Sequence, residues 1–391
     1  VKHHIQKIIG FFSAMRNFSS ELKNQGHKVF YVSISDVSNT HDLIKNLSAV
    51  ISEHKASSFE YQLPDEHRLD EQLKKFTSTL DIPFKSYDSE HFYTTREELS
   101  DFFKGKKQVI MESFYREMRK KHQVLLDSNN KPEGGKWNYD KSNRKKYTGK
   151  PAVPKPLNID SNVTELLKEI DKQKIDYFGN IDPKHYSWPT SQAQSIKVLE
   201  YFLDYLMDHF GDYQDAMHTD FAYLFHSRLS FALNTKMLSP KEVVDAVVKR
   251  YQKNSNPELL TQTEGFVRQI LGWREFMRGI YWKEMPDYNL TNFFEHKRDL
   301  PDFYWSGKTK MNCLKHAITQ SLKESYAHHI QRLMITGNYA LLTMTDPAEV
   351  DAWYLGIYID ALEWVEITNT RGMSQFADGG IVATKPYVSS A

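Results

Sequence analysis

The chain contains 391 residues, of which 40% are hydrophobic, and its 51 Lys and Arg residues nearly balance 50 Asp and Glu residues. Two domains are expected, since a single core stops growing near roughly 250–300 residues. The net charge of +1 excludes a strongly basic nucleic-acid-coating protein, and no apolar run reaches the roughly 18 residues of a membrane span. The single cysteine, Cys313, excludes a disulfide framework and favours a reducing, cytoplasmic location.

The first third of the chain alternates between helical and extended patterns. Apolar residues at helical spacing predict helices at 2–24, 41–53, 68–80 and 109–122. Short β-branched and aromatic runs predict strands at 29–32, 58–63 and 84–87. Because such alternation is typical of βαβ units, we expect an α/β domain over residues 1–125, with a doubly wound parallel sheet whose first strand would precede Val1.

Residues 126–185 form a basic segment with few apolar residues, which predicts a long linker. Gly134-Gly135 and several prolines interrupt any regular pattern. The segment is either a solvated connection or a basic surface that contacts phosphates, with Trp137 and Tyr139 as stacking rings. Composition alone does not choose between these interpretations.

The remaining residues, 186–391, predict an all-helical domain. Ser239-Pro240 and Asp346-Pro347 are typical of helix starts, with a capping side chain before a proline in the first turn. Gly272 and Gly279 interrupt a helical pattern, which indicates either close packing or a ligand near the backbone. Adjacent histidines such as His328 and His329 are usually surface or core residues, although one could act as a proton donor.

Several segments of this half resemble the photolyase/cryptochrome family. The segments share the short motifs that surround the flavin in that family, and they are His226–Ser230 with Leu238–Pro240, Arg268–Phe276, Tyr326–Met334, Trp353–Glu366 and Gly372–Gly380. The last three, together with Met111–Arg119 and Gly134–Asn138, resemble the prokaryotic iron–sulfur branch of bacterial (6-4) photolyases and related cryptochromes. The resemblance extends over essentially the whole chain.

The resemblance implies an α/β antenna domain, a linker and a helical domain that binds U-shaped FAD. By position, eight residues would contact the cofactor: His226, Ser227, Leu229, Ser230, Gln269, Arg274, Asp360 and Glu366. The two serines would bind phosphate or ribityl oxygens, helped by backbone N–H groups near a helix start. Glu366 would lie near N5 of the flavin, where a carboxylic acid can exchange a proton.

The resemblance also implies a lesion site. His328 and His329 match the paired histidines of (6-4) repair, in which excited reduced FAD gives an electron to the lesion and a histidine supplies a proton. We favour His329 as the donor, although sequence position does not assign it. Tyr387 matches a tyrosine of the lesion pocket.

A photoreduction chain follows from the same resemblance. Its expected members are Trp353, Tyr354 and Trp305, with Trp353 nearest the flavin. Without the resemblance, the rings near residue 353 would be interpreted as core packing.

Two accessory cofactors are implied as well. The branch binds a 4Fe–4S cluster through four cysteines, of which this chain contains Cys313. A cubane cluster needs four thiolates, so we expect the other three beyond residue 391 and a cluster only in the intact protein. A 6,7-dimethyl-8-ribityllumazine antenna would use residues before Val1. The sequence is therefore expected to be a fragment that lacks both ends.

Two functions follow from these expectations. The chain is either a DNA photolyase that repairs pyrimidine (6-4) photoproducts or a blue-light receptor that signals through flavin redox state. A helical binding protein without flavin would require the motifs to be accidental. We expect a monomer that binds UV-damaged DNA and no membrane, with DNA contacts from Arg116, Arg119, Lys120, Lys136, Arg144, Lys145 and Lys146.

Overall fold

The computed structural model describes residues 1–106, 108–254 and 256–388. Within these ranges, every helix is too short or too polar to cross a membrane. Helices dominate, and the short strands form two parallel pairs. The expected class, an α/β N-terminal part followed by a helical part, is confirmed.

The N-terminal part contains helices and strands in alternation. Its elements are β1 (His3–His4), α1 (Ile5–Asn24), α2 (Leu43–Glu53), β2 (Phe59–Gln62), α3 (His67–Thr77), β3 (Phe84–Tyr87), α4 (Arg96–Phe103) and α5 (Met111–His122). The predicted linker contains α6 (Thr164–Lys172) and β4 (Tyr177–Phe178) between irregular stretches.

The helical part follows from residue 186. Its elements are α7 (Gln192–Tyr201), α8 (Met207–Tyr213), α9 (Ser230–Asn234), α10 (Pro240–Lys253), α11 (Leu259–Val267), α12 (Glu275–Glu284), α13 (Asn312–Glu324), α14 (Asn338–Leu342), α15 (Pro347–Ile357) and α16 (Glu363–Ile367). Wider π-helical turns at Phe202–Leu206, Arg268–Arg274, Gln331–Gly337 and Thr368–Ser374 join or extend several of them.

The strands differ in part from the prediction. Strand β2 pairs in parallel with β3, in the register Phe59 to Phe84, as the βαβ pattern predicts. The doubly wound sheet is not formed within the described residues, because β1 pairs with β4 in a separate sheet. The strand predicted at 29–32 is wrong. The segment is irregular, and Phe30 packs its half-exposed ring against His54 instead. An extended run becomes a strand only when a neighbouring backbone pairs with it.

The two glycines of the predicted flavin helix allow two helices to approach each other. A Cβ atom on Gly279 would lie 2.2 Å from the Phe103 ring of α4, and one on Gly272 would lie 3.1 Å from Sδ of Met111 on α5. Of the two interpretations given above, the structure therefore favours close packing at both positions.

Helix α1 lies against the helical part of the molecule. Ile5 and Ile9 are buried in a core cluster with Trp188, Phe231 and Ile359. The pairing of β1 with β4 anchors the start of this helix. Residues from the beginning and the end of the chain thus share one core.

Candidate functional site

A cavity of about 1060 Å³ opens among the helices of the second half. This volume is at the upper end of the roughly 300–1,000 Å³ that ligand pockets occupy. Its walls come from six stretches of chain and one further residue, namely 140–147, 210–217, 226–234, 266–277, 326–334, 354–374 and Tyr387. Three of the four π-helical turns contribute to these walls.

Twelve residues that the sequence singled out line this cavity. They are the eight expected cofactor contacts together with His328, His329, Tyr354 and Tyr387. The residues come from segments up to 161 positions apart in sequence, as the span from His226 to Tyr387 indicates. Trp353, Trp305 and Cys313 lie outside the lining.

An ion pair between Arg332 and Asp360 lies in the cavity wall. The Arg332 guanidinium binds both carboxylate oxygens of Asp360, at 3.0 Å from Nη1 to Oδ1 and 3.2 Å from Nη2 to Oδ2. Burial alone would raise the pKa of Asp360, but the charge and hydrogen bonds of Arg332, helped by Ser230 and Lys7, together hold that pKa below its usual value. The Asn234 side chain donates to the backbone carbonyl of Asp360 at 2.7 Å, so the cavity presents a fixed carboxylate.

Glu366 is the second buried carboxyl of the wall, and its pKa is shifted in the opposite direction from that of Asp360. Burial raises the pKa of Glu366 well above the ordinary value, and the nearby Asp351 charge adds to this effect. The Thr370 hydroxyl donates to Glu366 Oε1 at 2.6 Å. Glu366 therefore holds its proton more firmly than an ordinary carboxyl does, which suits it to proton exchange with a bound group.

The histidines lie on another side of the cavity. His328 is buried, whereas the His329 side chain is accessible to solvent. Desolvation by the surrounding protein lowers the pKa of both, to about 4 for His329. The backbone N–H of Ile330 donates to His328 Nδ1 at 3.3 Å, which leaves the proton of the neutral ring on Nε2. The ring of His226 stacks on that of His328.

Polar atoms without partners test whether these walls suit a polar ligand. Nδ1 and Nε2 of His226, Oε1 of Gln214 and Nε of Arg274 are buried with no hydrogen-bond partner in the described structure. All three residues line the cavity. Because buried polar groups are nearly always paired, these atoms fit a dinucleotide with several donors and acceptors.

Aromatic rings connect the cavity to the surface. The Tyr354 ring lies 5.2 Å from that of Trp353, which in turn lies 5.0 Å from the Tyr304 ring. Trp305 is 40% exposed, and its described ring contact is with Phe178. Tyr354 lines the cavity and Trp353 lies behind it, so the order of these two differs from the expected one.

Comparisons with known proteins identify the family of this chain. The chain is 41% identical over 392 aligned positions to the (6-4) photolyase of Agrobacterium fabrum, covering all of this chain and 76% of that protein. The chain belongs to the photolyase/cryptochrome family. A profile described as "Deoxyribodipyrimidine photo-lyase-related protein" matches residues 1–186.

Two solved photolyase/cryptochrome structures show the same fold. A bacterial class III photolyase from Agrobacterium tumefaciens superposes with a TM-score of 0.66 and 16% identity, covering 97% of this chain and 72% of that one. The cryptochrome of Synechocystis sp. PCC6803 gives a TM-score of 0.62 and 13% identity, covering 99% and 74%.

The basic residues expected to contact DNA differ in exposure and position. Arg144, Lys145 and Lys146 line the cavity mouth with Tyr387. Arg119 is fully buried and donates to the carbonyls of Val124, Leu125 and Trp137, so the expectation that it contacts DNA is wrong. A buried guanidinium with three backbone partners holds the chain reversal after α5 together.

The metal expectation rests on one exposed residue. Cys313 is a free, exposed thiol near the start of α13. Across the described ranges, no group of three or more His, Cys, Asp or Glu residues could hold a metal ion. The described residues therefore do not fit an iron–sulfur cluster, and no step below involves one.

Sequence reasoning missed three residues that shape the site. Arg332 pairs with Asp360, and Tyr358 lines the cavity with the Arg332 guanidinium 3.8 Å above its ring. Lys7 on α1 is buried, and its Nζ donates to the carbonyls of Leu355 at 2.5 Å and Ala361 at 2.7 Å. Arg332 lies within the Tyr326–Met334 motif, which could have indicated it, whereas no local pattern marks Lys7.

Proposed function

We propose that this protein is a DNA photolyase that uses FAD and light to repair pyrimidine (6-4) photoproducts. The observation that carries the proposal is the convergence of twelve expected residues on one cavity, with a buried carboxyl, a fixed ion pair and two histidines in its walls. The full-length similarity to a (6-4) photolyase supports the same function.

The cavity suits FAD through its own residues. Arg332 and Asp360 would present a fixed pair of charges, and the unpartnered His226, Gln214 and Arg274 would bind polar atoms of the dinucleotide. When bound and reduced, FAD supplies the excited electron that (6-4) repair requires. Glu366, whose pKa burial raises, would hold a proton in the cavity wall.

The lesion would enter where the basic residues and Tyr387 surround the opening. A damaged base must leave the duplex stack to reach a buried site, and damaged bases cost least to extrude. Tyr387 is 41% exposed at this opening and can stack on an extruded base. His328 and His329 would then lie inside the cavity as hydrogen-bond and proton donors.

The second candidate is a blue-light receptor of the same family. Its support is the series of ring contacts from Tyr354 through Trp353 to Tyr304, since a receptor needs electron transfer to the flavin but no lesion chemistry. The structural match to a cryptochrome agrees with it at the level of the fold.

One experiment separates the candidates. The whole chain is purified, its flavin content is measured by absorption, and a (6-4)-containing oligonucleotide is incubated with the reduced protein in light and in the dark. A photolyase removes the lesion only in light, and His329→Asn abolishes this activity while His316→Asn, at an exposed position on α13, does not. Flavin binding without lesion loss would favour the receptor, and a colourless protein would contradict both.

A further inference from the structure

His226 and His328 form a face-to-face pair of imidazole rings. The ring centroids lie 3.9 Å apart and the ring planes differ by 6°. His226 precedes α9 and His328 precedes the π-helical turn at Gln331, so two distant segments meet at this contact. Both rings are buried in the cavity wall. The two rings are thus supplied by separate parts of the fold.

The hydrogen bonds of the two rings differ. His328 has a fixed orientation, since its Nδ1 accepts the N–H of Ile330. Neither nitrogen of His226 has a hydrogen-bond partner in the described structure. The stack on His328 is therefore the best-defined contact of the His226 ring.

Charge repulsion limits the number of protons that the two rings can carry together. Two imidazolium rings at 3.9 Å would repel each other strongly in a buried site. Burial lowers the pKa of His226 to about 4, and burial followed by the charges of His226, His329 and Arg332 lowers that of His328 well below the ordinary value.

The groups that face the pair come from the end of α8, from the segment of His328 itself and from the loop after α15. Backbone carbonyls of Tyr213 and Gln214 lie against His226 at the end of α8, and the Gln214 carbonyl also faces His328. His329 and Arg332 face His328 from its own segment. Asp360, from the loop after α15, pairs with Arg332 and faces His329. The nearest negative charge is therefore engaged by a guanidinium rather than by the stacked rings.

We propose that His226 is a positioning residue for His328, whose ring it holds in place by stacking so that the pair carries at most one proton. This role is additional to the cofactor contact that the sequence motif implies for His226. It rests on the proposed function for its meaning in repair, where it makes His328 a neutral Nε2–H donor in a fixed orientation.

The proposal is tested by nitrogen-15 NMR of the histidines in the whole chain, in the dark, between pH 5 and 8. The His328 signals are assigned by their loss in His328→Phe. In the wild-type protein, His328 stays neutral over this range with its proton on Nε2. In His226→Ala, the pKa of His328 rises by about 1–2 units, because water replaces the ring that shields it from solvent. The ring, no longer held by the stack, leaves the Ile330 N–H part of the time, so the tautomer becomes mixed.

Two variants separate stacking from charge. His226→Phe keeps a stacked ring that cannot be protonated, so the tautomer of His328 stays fixed while its pKa rises less than in His226→Ala. His316→Phe removes an exposed histidine from α13 and leaves the titration of His328 unchanged. If His226→Ala does not fold, His226→Phe and His226→Gln give the same comparison.

The proposal is overturned if His328 has the wild-type pKa and tautomer in His226→Ala, or if the wild-type His328 titrates near 6.5. Because this measurement needs neither light nor lesion, its outcome is separate from that of the proposed function. A protein that repairs nothing but shows the predicted titration would contradict only the repair function.

Discussion

Trp353 is fully enclosed, and its indole nitrogen donates to the carbonyl of Tyr304 at 3.0 Å. The Tyr304 ring stands edge-on to the indole, and the Tyr354 ring lies between the indole and the cavity. Each ring is therefore within van der Waals reach of the next. Such a path suits the transfer of an electron from the protein surface to a bound flavin.

Replacing Trp353 by Phe should block light-driven reduction of the bound flavin. The reason is that phenylalanine is much harder to oxidise than tryptophan, whereas the packing is largely kept. Lesion loss catalysed by chemically reduced protein should remain within about threefold of wild type. Flavin absorption during illumination measures the first property, and a repair assay under reductant measures the second.

Trp188→Phe is the matched control, because Trp188 is equally buried but contacts Phe231 and Tyr326 instead. The control should photoreduce normally. Normal photoreduction in Trp353→Phe, or loss of repair in the chemically reduced variant, would remove Trp353 from the path.

The residue scale also shows what the sequence could and could not reveal. His328, Asp360 and Glu366 were selected because they fall in short motifs, and all three line the cavity. The stacking of His226 on His328 could not be foreseen, since it depends on how two segments a hundred residues apart pack. Whether the selected residues act as expected stays a prediction.

At the scale of the elements, Lys7 joins α1 to the end of α15 and the loop that follows it. Lys7 reaches the last-turn carbonyl of Leu355 and the carbonyl of Ala361, which lie on either side of Tyr358 and Asp360. A cation at the C-terminal end of a helix satisfies carbonyls that have no partner within the helix. Lys7 thereby fixes the loop that presents Asp360 to the cavity.

Lys7 should make stability rise with pH. Burial lowers the pKa of Lys7 to about 7, against roughly 10.4 in an unfolded chain. Between these values the unfolded state binds more protons than the folded state, so the free energy of unfolding gains up to about 1.4 kcal/mol per pH unit from this group. Urea unfolding of wild type and Lys7→Met at pH 7 to 10 should show this slope in wild type alone.

Lys23→Met on the exposed side of the same helix serves as the reference and should keep the wild-type slope. Equal slopes in wild type and Lys7→Met would mean that Lys7 is charged and solvated across this range.

The elements illustrate where pattern reasoning reaches its limit. Strand β3 was predicted at 84–87 and is found at Phe84–Tyr87, because the run has a parallel partner in β2. The run at 29–32 is richer in β-branched and aromatic residues but pairs with no strand in the described residues, so it stays irregular. The pairing of two-residue strands β1 and β4, 174 positions apart in register, has no local signal.

At the scale of the whole molecule, a nearly neutral chain concentrates cations at the cavity mouth. Lys145 is paired with Asp212 at 2.9 Å, and Arg144 is paired with Asp140. Lys146 is exposed and has no ion pair in the described part of the chain. Lys146 is therefore the mouth residue best placed to contact a phosphate.

Lys146→Gln should weaken binding to lesion-containing duplex DNA and lower the salt dependence by the equivalent of about one phosphate contact, a change of roughly 0.9 in the slope of log K against log salt. Lys145→Gln should have a smaller effect, since Asp212 already neutralises that ammonium group. Fluorescence anisotropy titrations between about 50 and 200 mM salt measure both. Lys172→Gln, on the exposed side of α6, is the control, and an unchanged slope in Lys146→Gln would mean that this lysine is only solvated.

The bond from Lys7 to Ala361 joins residues 354 positions apart. During synthesis at about 5–20 residues per second, the N-terminal helix would leave the ribosome roughly 20–70 s before its acceptor exists. Until then, its apolar face can pack against earlier residues such as Trp188 and Phe231, but its lysine lacks the two carbonyls that bind it. The two halves of this protein therefore mature together, and a newly made chain acquires its complete cavity only after the segment around residue 361 has emerged.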